Sequence, residues 1–234
     1  MKQVIQIRCK NNKKSQKVEI GSTLFDIFSA FDLKMTHGPV SARVNNKVEG
    51  MHYRVYNSKD VEFLDMTSSS GSRAYTRTLF FVLCKAVQDI YPATDVVIDI
   101  PVSNGFYVDI RLGRPVVDED VNIIRRRMQE IIDARMPIRR FTVPTEEAVA
   151  LFQEKGDIEK VKLLKTSGSI YTTYYKIGDY VDYYYGTLLT NTSQLYLFGL
   201  EKYYDGMLLR IPSLKNPDVL GEMTRQDKMF EIFK

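Results

Sequence analysis

Histidine and cysteine are scarce in this sequence of 234 residues. It contains two histidines, His37 and His52, and two cysteines, Cys9 and Cys84, and it contains no tryptophan. None of the four lies at metal-ligand spacing from another, which argues against a structural zinc site. The two cysteines stand far apart in the chain, so we expect buried free thiols in a reducing compartment and no disulfide framework.

Long apolar runs are lacking as well. No segment has the ~18 consecutive apolar residues that a membrane-spanning helix needs. The first residues alternate polar and apolar side chains, as in a strand, and do not form the apolar region of a signal peptide. We therefore expect a cytoplasmic protein with no membrane partner. The composition, 44% hydrophobic and 26% charged, is ordinary for a folded domain with a core.

The charge is weakly basic, with a net value of +4. The cations are clustered at residues 10–17, which contain four lysines, and at residues 125–127, which are three consecutive arginines. Both clusters have two open interpretations. They could contact nucleic-acid phosphates, or they could be a solvated hairpin turn and the solvated face of a helix.

Residues 1–66 predict a small domain of the α+β class. Alternating strands at its start are followed by a helix, for which Thr23 is the expected N-cap and Asp26 the matching residue of a capping box. Gly38 and Pro39 then interrupt the chain before further short strands. This β-β-α-β-β order in fewer than 70 residues is typical of a ubiquitin-like β-grasp.

Residues 67–72, TSSSGS, have the composition of a flexible linker, and we place a domain boundary there. The alternative is a phosphate-binding loop, since glycine and serine backbones bind anions. A P-loop, however, requires GxxxxGK followed by Ser or Thr, and this pattern occurs nowhere in the 234 residues. A linker is the better interpretation.

Residues 73–225 predict a second α+β domain. An apolar helix is expected at 75–90, strands at 95–100 and 105–110, and a long helix from Asp118 to the stop at Pro137. A strand at 139–143 precedes a helix that starts at Thr145 and ends at Gly156. Residues 170–189 are rich in strand formers, and 203–206 predict a hairpin turn between strands at 194–200 and 207–211. Residues 226–234 predict the start of a helix leading to a further domain.

Several segments resemble one family, the threonyl-tRNA synthetases. Residues 21–27, GSTLFDI, resemble the G[ST]TxxD[IV] segment of their N-terminal TGS domain, which is a β-grasp module. Residues 85–92, KAVQDIYP, and 100–109, IPVSNGFYVD, resemble AVxxLYP and IGPxxxxGFYYD of their editing domain, which alanyl-tRNA synthetases share. The resemblance runs through the whole chain in consistent order. It implies a TGS domain followed by an editing-like domain.

The residues that carry editing chemistry in that family are missing. Active editing domains carry HxxxH on a helix and CxxxH on a later strand and turn, which together hold a metal or activate water. Residues 180–182, YVD, also resemble FVD of that domain, and alignment on this segment and on residues 85–92 puts the four positions at Arg77, Phe81, Tyr184 and Leu188. Phenylalanine and leucine neither ligate a metal nor transfer a proton. No histidine follows His52, so a shift in the alignment does not restore the site.

A TGS domain and a degenerate editing-like domain also occur together ahead of a P-loop domain in bacterial uridine kinase-like proteins. The resemblance to that arrangement implies a non-catalytic region that binds RNA or a nucleotide, or regulates an intramolecular kinase domain. ATP and Mg²⁺ would then belong to that kinase domain, and no cofactor is expected here. Two alternatives stay open: a free-standing protein that edits mischarged tRNA, and a protein-docking module.

The replaced editing pocket is the candidate binding site. We expect Arg77 and Tyr184 to face each other beside Asp182, with Phe81 and Leu188 completing the pocket, which would bind a nucleotide or the end of a tRNA. The surrounding tyrosine-rich stretch, residues 171–185, could supply stacking surfaces for bases. It could equally be an ordinary set of half-buried strand residues.

Overall fold

The computed structural model describes residues 3–223, which form two α+β units. The first contains strands β1 and β2, helix α1 and strands β3, β4 and β5, at Val4–Cys9, Ser15–Glu19, Leu24–Ala30, Ser41–Val44, Lys47–Glu49 and Lys59–Leu64. The second contains α2 to α5 at Ser69–Ile90, Asp118–Asp133, Thr145–Glu154 and Ile158–Thr166. Its strands β6 to β12 are Val96–Val102, Gly105–Ile110, Arg139–Pro144, Tyr171–Ile177, Tyr180–Tyr183, Gly199–Tyr203 and Gly206–Arg210. Within this range, no helix is both long and apolar enough to cross a membrane.

The first unit is a five-stranded mixed sheet packed against α1. The strand order is β2-β1-β5-β3-β4, with β1 and β5 parallel at the centre. The capping box predicted at the start of α1 is confirmed: the Thr23 hydroxyl accepts a hydrogen bond from the Asp26 amide, and the Asp26 carboxylate accepts one from the Thr23 amide at 2.8 Å. The predicted α+β class is confirmed, whereas the assignment to TGS domains stays a prediction.

The second unit is built around α2. A four-stranded sheet, β11-β12-β7-β6, and a three-stranded sheet, β10-β9-β8, surround the core together with α3. Thirteen of the 22 residues of α2 are buried, including Tyr75, Phe81 and Val87. Such a helix is apolar around most of its circumference, as expected for one that packs on several elements at once.

Helix α2 begins at Ser69, so the last four of the six residues predicted as a linker, 67–72, are helical. The Ser68 hydroxyl caps the helix by accepting a hydrogen bond from the Gly71 amide at 3.0 Å. A Cβ on Gly71 would lie 1.8 Å from the Asp65 carbonyl oxygen. The serines and the glycine thus form a capped first helical turn pressed against the chain that leaves β5, and their small size is a packing requirement.

Other differences from the predicted elements have local causes. Helix α5 was not predicted, because Leu164 is its only buried residue and its apolar period is weak. Residues 194–198 were predicted as part of a strand, but a short 3-10 helix occupies Thr192–Gln194 and β11 begins at Gly199. The hairpin turn between β11 and β12 is confirmed. The helix predicted at 226–234 lies outside the described residues.

The two units are in direct contact. The ring of His37 in the first unit stacks on Tyr196 of the second, with centroids 3.7 Å apart, and its Nε2 lies 2.7 Å from the Asp218 carboxylate. The Gln194 amide donates to the Pro39 carbonyl at 3.3 Å, and Val40 belongs to the core of the second unit. These contacts bring the end of β4 close to β8 and to the start of α2.

The close approach at Gly71 generates a stability prediction. Gly71→Ala places a methyl group where it would clash with the Asp65 carbonyl oxygen. We therefore expect the free energy of unfolding to fall by about 2 kcal/mol or more. Ser69→Ala, an exposed change in the same helical turn, should stay within about 0.5 kcal/mol of the wild type. Urea unfolding of both variants measures the difference, and equal stability of the two would contradict the close packing.

Candidate functional site

A cleft of about 490 Å³ lies between the two units. One wall is β4 of the first unit, and the other is formed by the first turns of α2, by β8 and β9, and by the turn that follows β10. The cleft therefore exists only because the units dock as described above.

The charged lining of the cleft is strongly basic. Lys47, Arg73, Arg77 and Arg140 face a single carboxylate, that of Glu49. The buried Glu49 lies 2.9 Å from Lys47 Nζ and 3.8 Å from an Arg140 nitrogen. Within residues 3–223, Arg73 and Arg77 have no carboxylate partner, so the cleft carries an excess of positive charge that favours an anionic ligand.

The position of Arg77 depends on a glycine across the cleft. Gly186 has φ +114°, and a Cβ there would lie 2.7 Å from an Arg77 guanidinium nitrogen. The absence of a side chain lets the guanidinium lie directly against the turn. Partial burial, reinforced by the charge of Arg73, lowers the pKa of Arg77 from its usual value. An anion between Arg73 and Arg77 would raise the pKa of Arg77 again, because a nearby negative charge stabilises the charged guanidinium.

Tyrosines and hydroxyl groups form the rest of the lining. Tyr171 and Tyr185 are 65% and 86% exposed, while Tyr184 is half-buried. The hydroxyl-bearing residues are Ser70, Ser167, Ser169, Thr172, Thr173 and Thr187. Exposed aromatic rings beside cations are the combination that binds bases and phosphates in single-stranded nucleic acids. Within the tyrosine-rich stretch, Tyr175 is buried, whereas Tyr171 and Tyr185 are exposed.

The five predicted site residues do not share one pocket. Arg77 and Tyr184 both line the cleft. Phe81 is fully buried, with its ring centroid 5.6 Å from that of Tyr184. Leu188 is also buried and lines a different, neighbouring cavity. Two of the four replaced positions have become core, and the other two have become cleft surface.

Asp182 is not among the described cleft-lining residues, and its buried carboxylate forms an ion pair with Lys160, whose side chain is 30% exposed. Its carboxylate is 2.7 Å from Lys160 Nζ, accepts a hydrogen bond from the Tyr180 hydroxyl at 3.0 Å and another from the Tyr183 amide at 2.6 Å. Burial acts to lower the pKa of Lys160, but the charges of Asp182 and Asp157 outweigh it and raise the pKa. Local sequence patterns do not predict this pair, because Lys160 lies on α5, whose apolar period is weak.

Among the described residues that line the cleft, the one carboxylate is that of Glu49, which is buried and paired with Lys47. Burial, reinforced by the charge of Asp182, raises the pKa of the Cys84 thiol to about 12, which keeps it protonated at neutral pH. Neither histidine is among the described cleft-lining residues. In residues 3–223, no cluster of three histidine, cysteine, aspartate or glutamate side chains could hold a metal ion.

The ion pair generates a second prediction. Lys160→Met leaves the Asp182 carboxylate buried without its countercharge, and we expect a loss of about 3 kcal/mol in the free energy of unfolding. The double variant Lys160→Met/Asp182→Asn should recover part of the lost free energy of unfolding, because it also removes the unpaired charge. Because the pKa of Lys160 is raised, the pair's contribution is full below about pH 10.4 and is lost at higher pH.

Urea unfolding at pH 7 and at pH 11 measures these effects. Lys162→Met, an exposed lysine on the same helix, is the matched control and should be nearly neutral. A loss no larger than that of Lys162→Met would show that the pair stabilises nothing.

Comparison with known proteins finds threonine–tRNA ligases. The ligase of Clostridium kluyveri is 30% identical over 193 residues, covering 82% of this chain and 30% of the relative. That of Syntrophotalea carbinolica is 30% identical over 220 residues, or 89% and 34%. That of Acetivibrio thermocellus is 29% identical over 181 residues, or 77% and 28%. No family model matches. The chain spans about a third of the length of these relatives, and it is homologous to that part of them.

Proposed function

We propose that this chain is a non-catalytic threonyl-tRNA synthetase-like region that binds the phosphate-bearing end of an RNA, or a nucleotide, in the basic cleft. The observation that carries the proposal is the convergence of four cations and one carboxylate in a cleft that also exposes tyrosines. Arginine nitrogens form strong, charge-assisted hydrogen bonds with phosphate. The relatives are named threonine–tRNA ligases, which favours tRNA as the source of the phosphate.

The chemistry of the site supports binding without catalysis. Hydrolysis of an ester needs a base to activate water or a nucleophile, and a donor to stabilise the developing charge. The arginines could serve as the donor. The Cys84 thiol is held protonated, and the carboxylates of Glu49 and Asp182 are both buried and paired with lysines, Glu49 with Lys47 and Asp182 with Lys160.

The alternative is a free-standing protein that edits mischarged tRNA. Editing would require Arg77 and Tyr184 to do the work of two of the family's four editing residues. Phe81 and Leu188 supply no catalytic group, because they are buried apolar side chains. Release of the amino acid from mischarged threonine tRNA, measured with and without the protein, separates the two. Multiple-turnover release abolished by Arg77→Gln would establish editing, and tight binding without release supports our proposal.

We propose further that the parent protein is a cytoplasmic uridine or nucleoside kinase-like fusion, in which this region accompanies a P-loop domain. Its support is the resemblance of the paired domains together with the replaced editing ligands. ATP and Mg²⁺ would bind the kinase domain, since the 234 residues contain no P-loop. Reading the gene beyond the codon for Lys234 tests this: a P-loop within a few hundred codons is expected, and an immediate stop would refute it.

The binding proposal predicts which side chains hold the ligand. Arg77→Gln removes a cation that lacks a carboxylate partner, and we expect about tenfold weaker binding of a short single-stranded RNA. Tyr185→Ala removes an exposed ring and should cost a similar factor. Binding of wild type should weaken as salt rises, because phosphate contacts release counterions.

Fluorescence anisotropy with labelled RNA and with tRNA measures these affinities. Arg125→Ala serves as the control, because Arg125 is an exposed cation on α3 that contacts Asn122 and does not line the cleft. Wild-type affinity in both Arg77→Gln and Tyr185→Ala would contradict the placement of the ligand in this cleft.

A further inference from the structure

The turn that follows β10 carries the part of the cleft wall that lies against Arg77. We call residues 184–189 the Gly186 turn, and the first four of them line the cleft. Gly186 lies directly against Arg77, because a Cβ at Gly186 would be 2.7 Å from a guanidinium nitrogen. The direction in which this guanidinium points therefore depends on where the backbone of the turn is held.

A buried tyrosine on β9 holds the Gly186 turn near its middle. The Tyr175 hydroxyl donates to the Gly186 carbonyl oxygen at 2.7 Å, and Tyr175 is 3% exposed. Strand β9 is the central strand of its sheet, where Tyr175 pairs with Arg140 of β8 and Asp182 of β10. A side chain packed in this way has little freedom. Its hydrogen bond therefore fixes the position of the carbonyl that it contacts.

The Tyr175 hydroxyl stays protonated near neutral pH and can act as the donor of this bond. Burial raises the pKa of Tyr175 above its usual value. The charge of Arg140, a hydrogen bond with the Leu188 backbone and the charge of Arg77 act in the opposite direction without outweighing burial. These opposing influences also show that the hydroxyl lies close to the charged residues of the cleft.

A threonine on α2 anchors the end of the same turn. Thr78 is fully buried and follows Arg77 in the chain. Its Oγ1 accepts a hydrogen bond from the Leu189 amide at 2.9 Å and donates to the Ala74 carbonyl at 2.8 Å. The Gly186 turn is thus tied at its end to the helix that carries Arg77 and near its middle to β9. Of these two ties, the Tyr175 hydroxyl is the one that holds the residue packed on the guanidinium.

We propose that Tyr175 is a positioning residue for the ligand of the basic cleft: it holds the Gly186 turn against Arg77 and so directs the guanidinium toward the bound phosphate. This inference rests on the proposed function of the cleft, and it adds a residue that does not itself line the cleft. A guanidinium binds phosphate through a planar set of N–H donors, so its affinity depends on direction as well as on charge. Without the hydroxyl, Arg77 keeps its charge and loses its fixed direction.

The decisive variant is Tyr175→Phe, which removes the hydroxyl and keeps the ring. We expect about fivefold weaker binding of a short single-stranded RNA. The slope of affinity against salt should fall by about one phosphate contact, because Arg77 no longer holds its phosphate. Tyr174→Phe is the matched control and should bind as wild type does. Tyr174 precedes Tyr175 on β9, its ring packs against Phe141 and Phe152, and it does not line the cleft.

Gly186→Ala tests the same contact from the side of the turn. The added Cβ would displace the Arg77 guanidinium, and Gly186 has a positive φ that alanine rarely adopts. We expect weaker binding and a shallower salt dependence, as for Tyr175→Phe. Thermal unfolding checks that each variant is folded at the temperature of the binding measurement.

Fluorescence anisotropy with the labelled RNA over a series of salt concentrations measures the affinities and the slopes. The double variant Arg77→Gln/Tyr175→Phe should bind as Arg77→Gln does, because no guanidinium remains to be directed. Losses that add in the double variant would overturn the inference, and so would a loss in Tyr175→Phe that leaves the wild-type salt slope. Both results would mean that Tyr175 acts on stability alone.

Two further outcomes separate this inference from the proposed function of the cleft. Wild-type affinity in Tyr175→Phe, together with weaker binding in Arg77→Gln, would overturn the positioning role and keep the cleft as the binding site. Wild-type affinity in Arg77→Gln would overturn the role of Arg77 in the cleft, and the inference about Tyr175 with it.

Discussion

Helix α2 is the element on which the rest of the structure depends. Its first turn presses against the chain leaving β5 at Gly71, and Tyr75 holds residue 197 through two hydrogen bonds of 2.8 and 3.0 Å. Two residues further along, Arg77 lines the cleft, and Phe81, four residues after Arg77, is buried in the core. A single rigid helix thus joins the two units, supports one wall of the cleft and fills the centre of the second unit. Because α2 is buried, the junction between the units, the cleft wall and the core of the second unit are fixed relative to one another.

Local signals in the sequence were sufficient for most elements. The capping box at Thr23, the hairpin turn at residues 203–206 and the apolar pattern of α3 each depend on residues a few positions apart, and each was found. Long-range contacts were not predictable. The small residues at 67–72 indicate flexibility when read alone, and only the packing of Gly71 on Asp65 explains them. The candidate site was half predicted, because Arg77 and Tyr184 line the cleft, whereas Lys47 and Arg140 come from other parts of the chain.

The replaced editing positions follow a physical division. Positions 81 and 188 are buried, and polar groups there would need hydrogen-bond partners. The apolar side chains of Phe81 and Leu188 need none and add to the core. Arginine and tyrosine occupy the positions that still reach solvent. The four positions that the resemblance assigns thus divide into two buried apolar side chains and two side chains that line the cleft.

The cleft takes Lys47 and Glu49 from the first unit and three arginines from the second. A ligand that contacts both sides can bind only while the units are docked. Its binding free energy then adds to the docking of the two units, and a change at the stack of His37 on Tyr196 weakens binding in proportion to the docked fraction that is lost. Binding of such a ligand and docking of the two units would therefore be thermodynamically coupled.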